Sequence, residues 1–361
     1  MDAAACGFAE RIRDAAGRRH ALRLHGGGSK DFYGGPLTGE ALDTRACAGI
    51  VDYEPTELVI TARCGTPLAD LEAALAQRQQ MLAFEPPHFS RSGKNATFGG
   101  CIAAGLSGPR RASAGSLRDF VLGVRILDGR GRDLSFGGQV MKNVAGYDLS
   151  RLVAGSLGTL GLILAASLKV LPRPARELTL KLEMPEQRAI ETLNRWAGQP
   201  LPISASAWHD GDLALRLSGA ASAVRAAAEK LGGEPVDDAQ GARFWSAIRE
   251  HSDPFFDGDT PLWRLSVPSH APRIRLQGAQ PIAQLIEWGG ALRWLRTHAD
   301  AASVRAAASR AGGHATLFRG GDRSAGVFAP LSPELARLHR ELKAVFDPAG
   351  IFNPGRLYPE L

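Results

Sequence analysis

The sequence predicts an α+β fold made of two domains, and three patterns support this prediction. Glycine-rich turns at residues 25–30 and 155–161 each adjoin a short apolar run, as is typical of strands that end in tight turns. Segments with strand-like and helix-like spacing alternate between residues 176 and 330. The letters VRAAA occur at 224–228 and again at 304–308, and each copy is followed by Gly-Gly at the same distance. We therefore expect a duplicated unit in the second domain.

The first region has the elements of a mixed α/β domain. Amphipathic spacing predicts a helix at 7–19, and Thr66 and Pro67 are suited to begin a second helix as its N-cap and first helical residue. Asp128-Gly129 is typical of the turn of a hairpin. The predicted strands are 21–24, 51–53, 58–62, 121–127, 131–136 and 160–170.

The second region begins after Pro172 and Pro174, which break the last strand of the first region. Its predicted strands are 177–184, 203–208, 212–217, 262–267, 283–288 and 291–297, and its predicted helices are 185–198, 222–231 and 301–311. We expect two ferredoxin-like units that share one antiparallel sheet. A helix at 333–346 and a run of turns at 347–355 then return to the first domain. The predicted divisions are therefore 1–174, 175–330 and 331–361.

Composition and charge narrow the classes of function. The net charge is +6 and the pI is about 9.4, but no basic run marks a nucleic-acid-binding tail. The four cysteines, Cys6, Cys47, Cys64 and Cys101, include no Cys-x-x-Cys pair, which indicates a reducing compartment and argues against an iron–sulfur or zinc site in this chain. No signal peptide is apparent, and the longest apolar run, 157–168, is too short to span a bilayer. We expect a cytoplasmic protein whose membrane association, at the inner membrane, is at most peripheral and through partner subunits.

The two glycine-rich turns are the candidate ligand-binding segments. Gly26, Gly27 and Gly28 follow a short strand, and consecutive glycines can direct several backbone N–H groups into one concavity that binds a phosphate. The turn is not a Rossmann fingerprint, because no Gly-x-Gly-x-x-Gly runs into a helix there. Flexible or buried turns use the same residue types. The presence of two such turns favours a dinucleotide, and we expect both to meet at one cleft and hold its diphosphate.

Seven motifs carry a resemblance to a known family. They are LRLHGGGSKDFYG (22–34), PTELVITARCGTPLADLEAAL (55–75), MLAFEPPHFS (81–90), ATFGGCIAAGLSGPRR (96–111), LRDFVLGVRILDGRG (117–131), GGQVMKNVAGYDLSRLVAGSLGTLGLIL (137–164) and FDPAGIFNPGRLY (346–358). In this order they resemble the FAD-binding fold shared by vanillyl-alcohol oxidase and p-cresol methylhydroxylase (PCMH), and within it the smaller FAD-binding subunits of bacterial glycolate oxidases. The resemblance implies a two-lobed PCMH-type FAD-binding domain, with the duplicated ferredoxin-like domain inserted as a cap before the C-terminal helix.

The resemblance also implies which residues bind FAD. The implied cofactor-binding residues are His25, Gly26, Gly27, Gly28, Ser29, Lys30, Pro86, Thr97, Gly99, Gly100, Ala103, Gly105, Gly158, Thr159, Gly161, Ile163 and Asn353. Many family members bond FAD covalently to a histidine after the paired glycines of the first turn. Gly28 and Ser29 occupy that place here, so we expect FAD to be bound non-covalently.

The catalytic residues cannot be carried over from the family. Relatives that oxidise 2-hydroxy acids hold a divalent metal with His-x-Gly-Asp-Gly-Asn-x-His and Glu-His-Gly, and this chain lacks both motifs. We therefore expect no metal. The candidates for binding a substrate carboxylate or acting as the base are Arg264, Arg319, His209 and His314, and each is also compatible with an ordinary solvated or packing role.

Two hypotheses of different class follow. In the first, the chain is a catalytic subunit whose FAD accepts a hydride from glycolate or another small 2-hydroxy acid. In the second, it is a non-catalytic flavin subunit that relays electrons or supports a partner's active site. Because the chain has no cysteine cluster, both need partners, which the resemblance suggests are a larger FAD-binding subunit and an iron–sulfur subunit. A stand-alone D-lactate-type dehydrogenase or a sugar-nucleotide reductase of the same fold is the remaining alternative.

Overall fold

The computed structural model describes residues 3–90, 93–138, 148–276 and 282–361. The glycine-containing turn expected at 143–148 lies outside the described residues apart from Asp148. The chain divides into two compact units. Unit 1 contains residues up to 106 together with 116–172 and 330–361, and unit 2 contains 107–115 and 173–329. Among the described residues, no helix is both long enough and apolar enough to cross a bilayer.

The secondary structure alternates helices with mostly short strands. The helices are α1 (Ala3–Arg18), α2 (Leu68–Gln77), α3 (Phe98–Ala104), α4 (Arg111–Ala114), α5 (Leu117–Phe120), α6 (Glu186–Ala197), α7 (Ala221–Leu231), α8 (Asp238–Glu250), α9 (Ala301–Arg310) and α10 (Pro333–Phe346). The strands are β1 (Leu22–His25), β2 (Glu40–Asp43), β3 (Ile50–Glu54), β4 (Val59–Arg63), β5 (Gln80–Met81), β6 (Val121–Leu127), β7 (Asp133–Gly137), β8 (Leu162–Lys169), β9 (Leu171–Pro172), β10 (Arg176–Glu183), β11 (Ile203–His209), β12 (Asp212–Gly219), β13 (Glu234–Val236), β14 (Leu262–Ser266), β15 (Ala283–Glu287), β16 (Leu292–Arg296) and β17 (His314–Arg319).

A five-stranded antiparallel sheet in the order β3-β4-β8-β6-β7 forms the centre of unit 1. Strands β6 and β8 are apolar along most of their length and are largely buried, as expected for central strands. Helix α2 buries Leu68, Leu71 and Leu75, which recur at helical spacing. Strand β1 pairs with β2 in a separate parallel pair and ends at His25, where the first glycine-rich turn begins.

The beginning of α2 differs from the prediction made for it. Pro67, and not Thr66, is the N-cap residue, and no side chain caps the helix. The Oγ1 of Thr66 instead donates to the carbonyl oxygen of Arg63 at 2.7 Å and accepts from the N–H of Gly49 at 2.9 Å. Thr66 therefore fastens two loops of unit 1, because a hydroxyl used in tertiary hydrogen bonds cannot also cap the helix.

The hairpin between β6 and β7 has a longer turn than its Asp-Gly pair predicts. The Oδ1 of Asp128 accepts the backbone N–H groups of Arg130 and Arg132, both at 2.9 Å, and the side chain of Asp128 is fully buried. Strand β7 begins only at Asp133. Local propensity indicated the turn, but the hydrogen bonds of this carboxylate decide its length.

Unit 2 is built on one eight-stranded antiparallel sheet in the order β13-β10-β12-β11-β15-β16-β14-β17. The first half, β10-α6-β11-β12-α7-β13, is a complete ferredoxin-like unit. The second half repeats it as β14, β15, β16, α9 and β17, and residues 267–276 of this half, which follow β14, contain no helix. The expected α+β class with a duplicated cap is confirmed.

The two faces of this sheet have different environments. On one face, apolar side chains such as Leu180, Leu215, Leu265 and Leu317 pack in clusters together with residues of α6, α7 and α9. Helix α8, which the sequence reading did not predict, begins at the N-cap Asp237 and places Trp245 beside Ala205 and Ala207 of the sheet. These alanines lie on the opposite face of β11 from Trp208 of the clusters, so α8 covers part of the second face.

Residues 107–115 pack with unit 2, although the sequence division placed them in the first domain. Three contacts hold this segment. Arg110 donates to Glu177, the Oγ of Ser113 donates to the carbonyl oxygen of Ser204 at 3.0 Å, and the indole Nε1 of Trp288 donates to the carbonyl oxygen of Gly108 at 3.1 Å. These contacts join residues far apart in the sequence, which is why local patterns could not indicate them.

The C-terminal segment of unit 1 is fastened by a buried lysine. The Nζ of Lys343 donates to the carbonyl oxygens of Thr159 and Phe352 and to the carboxylate of Asp347, at 2.8 to 2.9 Å. Burial lowers the pKa of Lys343, and the neighbouring carboxylate of Asp347 opposes that shift. Phe352 forms a parallel bridge to Leu22 of β1. The segment after α10 is therefore fixed beside β1 and beside the second glycine-rich turn.

Candidate cofactor and substrate sites

The first glycine-rich turn packs directly against the residues that begin α3. A Cβ atom on Gly26 would lie 2.4 Å from the Oγ1 of Thr97, and one on Gly27 would lie 1.4 Å from the carbonyl oxygen of Asn95. Only glycine fits at these positions. Thr97 is the N-cap of α3, and its Oγ1 accepts the N–H of Gly100 at 3.3 Å.

The second glycine-rich turn packs against the end of the same helix. The N–H groups of Gly155 and Leu157 donate to the carbonyl oxygens of Ile102 and Ala103, at 3.0 and 2.8 Å. Gly105 ends α3 with a positive φ of 65°, and a Cβ atom there would lie 2.8 Å from Gly155. Helix α3 therefore contacts one turn at its start and the other at its end.

Asn353 joins the two turns from the C-terminal side. Its Oδ1 accepts the N–H of Leu24 at 2.8 Å, and its Nδ2 donates to the carbonyl oxygen of Leu157 at 2.6 Å. A Cβ atom on Gly158 would lie 2.7 Å from this Nδ2. The structure thus brings together the two turns that the sequence analysis expected to meet. Because both ends of the amide are bonded to backbone, Asn353 positions the turns.

The first turn leaves several backbone donors available for a ligand. Gly26, Gly27, Gly28 and Ser29 donate their N–H groups to no acceptor among the described residues. Gly28 has a φ of 71°, as nest-forming turns require. Beside them the ammonium of Lys30 donates to the carbonyl oxygen of His88 at 3.2 Å. Consecutive unbonded N–H groups beside a lysine fit the diphosphate of a dinucleotide.

Several of the implied cofactor residues also serve packing. The hydroxyl of Thr159 donates to the carbonyl oxygen of Ser156 at 2.8 Å. Cβ atoms on Gly99 and Gly161 would lie 2.6 Å from the Cβ of Cys64 and 2.7 Å from the carbonyl oxygen of Leu127. Of the remaining implied residues, Pro86 and Ile163 are buried, and His25 accepts the N–H of Thr44 through its carbonyl oxygen. Their contact with the cofactor stays a prediction.

In unit 2, three of the four candidate catalytic residues lie together on one face of the sheet. Arg264 of β14 pairs with Thr316 of β17, so His314, two residues before Thr316, shares the face of Arg264. Arg319 pairs with Leu262, two residues before Arg264, and shares that face as well. We call this the polar face of the unit 2 sheet, defined by Arg264, His314 and Arg319.

The fourth candidate, His209, lies on the same face of the sheet but in the other half. It ends β11, two strands from β16, and its Nδ1 lies 2.8 Å from the carbonyl oxygen of Gln284. Its ring packs edge-on against Phe255 at 5.2 Å. A cavity of about 260 Å³ adjoins it, lined also by Lys181, Asp212 and Asp253. The structure therefore separates His209 from the arginines.

Two residues beside the polar face were missed by sequence reasoning. Glu287 of β15 is buried, and one of its carboxylate oxygens accepts the indole N–H of Trp294 at 2.7 Å. His251, the C-cap residue of α8, stacks on Phe256 and meets Trp294 edge-on. An acidic residue inside the apolar run 285–288 was a usable signal for Glu287, whereas nothing local marks His251.

Burial, together with charges of the polar-face arginines, lowers the pKa of two histidines beside this face. Burial lowers the pKa of His251 well below its usual value, and the charges of Arg319 and Arg264 lower it further. Burial lowers the pKa of His314 too, with Arg264 adding to the shift. Both imidazoles are therefore neutral at neutral pH, and His314 is available as a proton acceptor.

A glycine-lined lobe with unbonded backbone N–H groups, followed by a duplicated antiparallel cap, defines a flavoprotein of the FAD-linked oxidase class. Residues 7–137 match the family described as FAD binding domain, and residues 320–357 match the family described as FAD linked oxidases, C-terminal domain. The cofactor is FAD.

The chain belongs to the family of the glycolate oxidase subunit GlcE. It is 52% identical to the Escherichia coli K12 protein of that name over 352 residues, which are 98% of this chain and 97% of that protein. The Bacillus subtilis glycolate oxidase subunit GlcD is 36% identical over 131 residues, 36% of this chain and 27% of that protein. An alkyldihydroxyacetonephosphate synthase structure shares the fold, with a TM-score of 0.67 at 15% identity over 96% of this chain and 74% of that one.

Proposed function

We propose that this chain is the FAD-binding subunit of a complex that oxidises glycolate or a closely related 2-hydroxy acid to the 2-oxo acid. The observation that carries the proposal is the 52% identity to a glycolate oxidase subunit along almost the whole of both chains. Other relatives, among them a D-lactate dehydrogenase of Archaeoglobus fulgidus that is 30% identical over 174 residues, 46% of this chain and 39% of that protein, also act on 2-hydroxy acids by name.

In this proposal the polar face binds and deprotonates the substrate. Arg264 and Arg319 supply planar guanidinium groups, which suit the two oxygens of a carboxylate. His314, neutral at neutral pH, accepts the proton of the substrate hydroxyl. FAD, when bound, supplies the two-electron acceptor. The turns at 25–30 and 155–161, held by Asn353, bind its diphosphate without a covalent bond.

A second candidate function is a flavin relay without catalysis of its own. It is favoured by Gly313-His314-Ala315, which stands where hydroxy-acid-oxidising relatives carry Glu-His-Gly. Among the described residues, no group of three His, Cys, Asp or Glu side chains could hold a metal ion. A chain of this kind would receive electrons from a partner and pass them on.

We further propose that the partners are a larger FAD-binding subunit and an iron–sulfur subunit, and that the assembly works in the cytoplasm, at most peripherally at the inner membrane. Support comes from the word subunit in the names of two relatives and from the dispersed, unclustered cysteines, three of which are buried. Co-purification of the tagged chain with its partners, and loss of electron transfer when one is omitted, tests this assembly.

Anaerobic mixing of the FAD-loaded chain with glycolate separates the two functions. Bleaching of the flavin absorbance by the isolated chain supports catalysis, and bleaching only after addition of the partners supports the relay. Arg264→Gln and Arg319→Gln are expected to slow bleaching strongly. Arg225→Gln is the matched control, because Arg225 is exposed on helix α7, remote in the fold from β14 and β17. Equal bleaching by all four proteins would refute the role of the polar face.

A further inference from the structure

Two of the cysteines lie side by side in unit 1, although they are far apart in the sequence. Cys47 follows β2, Cys64 follows β4, and both are buried. The carbonyl oxygen of Leu164 in β8 accepts the backbone N–H of Cys64 at 2.9 Å and the thiol of Cys47 at 3.9 Å. The carbonyl oxygen of Cys47 in turn accepts the N–H of Gly65 at 2.7 Å. These contacts hold the two cysteines next to each other.

The two thiols contact each other directly. The side chain of Cys64 is hydrogen-bonded to that of Cys47, and this bond, together with burial, raises the pKa of Cys64. Thiols in such contact need only a rotation of their side chains to reach the geometry of a disulfide bond. An iron–sulfur cluster needs about four thiolates, so the pair is suited to dithiol chemistry and not to a cluster.

The two cysteines differ in their access to solvent. Cys47 lines a cavity of about 280 Å³ together with Thr61, Arg63 and Ser167 of the central sheet, whereas Cys64 lies outside the lining of this cavity. A water molecule needs only about 10 to 15 Å³ of such space, and hydrogen peroxide is little larger. A small oxidant can therefore reach Cys47 first.

Cys64 supports the helix between the two glycine-rich turns. Its carbonyl oxygen accepts the N–H of Gly99 at 2.8 Å, and a Cβ atom on Gly99 would lie 2.6 Å from the Cβ of Cys64. Gly99 belongs to the first turn of α3, whose N-cap Thr97 contacts Gly26 of the first glycine-rich turn. A shift of the Cys64 side chain toward Cys47 removes part of the support beneath this turn of α3.

We propose that Cys47 and Cys64 form a reversible disulfide when hydrogen peroxide enters the cavity, and that the disulfide weakens FAD binding through α3. The inference goes beyond the proposed function, since it concerns a modification site in unit 1. Disulfides that form transiently in reducing compartments commonly act as redox sensors.

The reaction has two balanced steps. The sulfur of Cys47 attacks one oxygen of the peroxide, the O–O bond breaks, and the departing hydroxide takes the thiol proton to form water, which leaves a sulfenic acid. The sulfur of Cys64 then attacks the sulfenic sulfur, an S–S bond replaces the S–O bond, and the released hydroxide takes the second thiol proton as water. Two thiols are oxidised by the loss of two hydrogen atoms, and one peroxide is reduced to two waters. A small thiol in excess reverses the disulfide by exchange.

The test treats the FAD-loaded full-length chain with hydrogen peroxide, alkylates the remaining thiols and digests the chain without reductant for mass spectrometry. We expect a pair of peptides joined through Cys47 and Cys64. The oxidised chain should bind FAD about fivefold more weakly or worse, measured by flavin fluorescence, because the first turn of α3 loses support. Dithiothreitol should restore both the free thiols and the affinity.

Two variants and a matched control make the test specific. Cys47→Ser and Cys64→Ser each remove one sulfur with little change of volume, so peroxide should leave their FAD affinity unchanged. Cys6→Ser is the control, because Cys6 lies in α1, and it should respond to peroxide as the unaltered chain does.

Two results would overturn the inference. One is a disulfide that joins other cysteines, or no disulfide at all. The other is an oxidised chain that binds FAD within about twofold of the reduced chain. The test uses no substrate, so its failure leaves the proposed oxidation of glycolate unaffected.

Discussion

Replacement of Asn353 is the sharpest test of how the cofactor turns are held. The side chain is 6% exposed and makes two backbone hydrogen bonds, to the N–H of Leu24 at 2.8 Å and to the carbonyl oxygen of Leu157 at 2.6 Å. Asn353→Ala leaves both backbone groups buried and unbonded, at about 1 to 3 kcal/mol each. Asn353 also has a φ of 42°, where alanine costs a further ~1 kcal/mol or more.

We therefore expect Asn353→Ala to lower the free energy of unfolding by about 3 to 7 kcal/mol, measured by urea unfolding. The affinity for FAD, measured by quenching of flavin fluorescence, should fall as well, because the two turns no longer meet in one geometry. Asn353→Gly loses the same hydrogen bonds but tolerates the positive φ, so it should be the less destabilised of the two. If Asn353→Ala unfolds within ~1 kcal/mol of the unaltered chain and binds FAD equally well, the reasoning is wrong.

Three further outcomes are expected. Gly27→Ala should abolish FAD binding, because its Cβ would lie 1.4 Å from the carbonyl oxygen of Asn95. Gly7→Ala in α1, which has open space around it, is the control and should be neutral or stabilising. Flavin fluorescence and urea unfolding measure both outcomes. The pKa of His314 is lowered in the folded state, so the folded protein loses stability as the pH falls from the pKa of the unfolded state toward that of the folded state. Arg264→Gln should raise this pKa in an NMR titration of the ring protons. An unchanged titration contradicts the assigned cause. Acid precipitation should leave all yellow colour in the supernatant, since FAD is held without a covalent bond, and a coloured pellet contradicts this.

The acid-precipitation test has a structural basis in the thiol of α3, the helix that contacts both glycine-rich turns. Burial raises the pKa of Cys101, in α3, to about 12. The thiol stays protonated at neutral pH and is a poor nucleophile for bonding to a flavin. No histidine stands after the paired glycines either, so neither usual attachment chemistry is available at the first turn.

Sequence patterns predicted the duplicated cap well, because each half repeats local signals. The alternation at 177–184 became β10, and the alanine-rich copies at 224–228 and 304–308 became parts of α7 and α9. Helix α8 was missed because only two of its large apolar residues, Trp245 and Ile248, are buried, which leaves a weak helical pattern. The glycine-rich turns were identified correctly as candidate ligand-binding segments. In the structure most of their glycines also allow close packing of the chain against itself.

The sequence by itself determined the order of elements, the class of protein and the glycines that the turns require. These features depend on local conformation and on the choice of residue at single positions. Only the tertiary structure decided which groups meet. Asn353 reaches Leu24 across 329 positions, and Trp288 reaches Gly108 across 180. Such contacts depend on how whole strands and helices pack, and no local spacing encodes that arrangement.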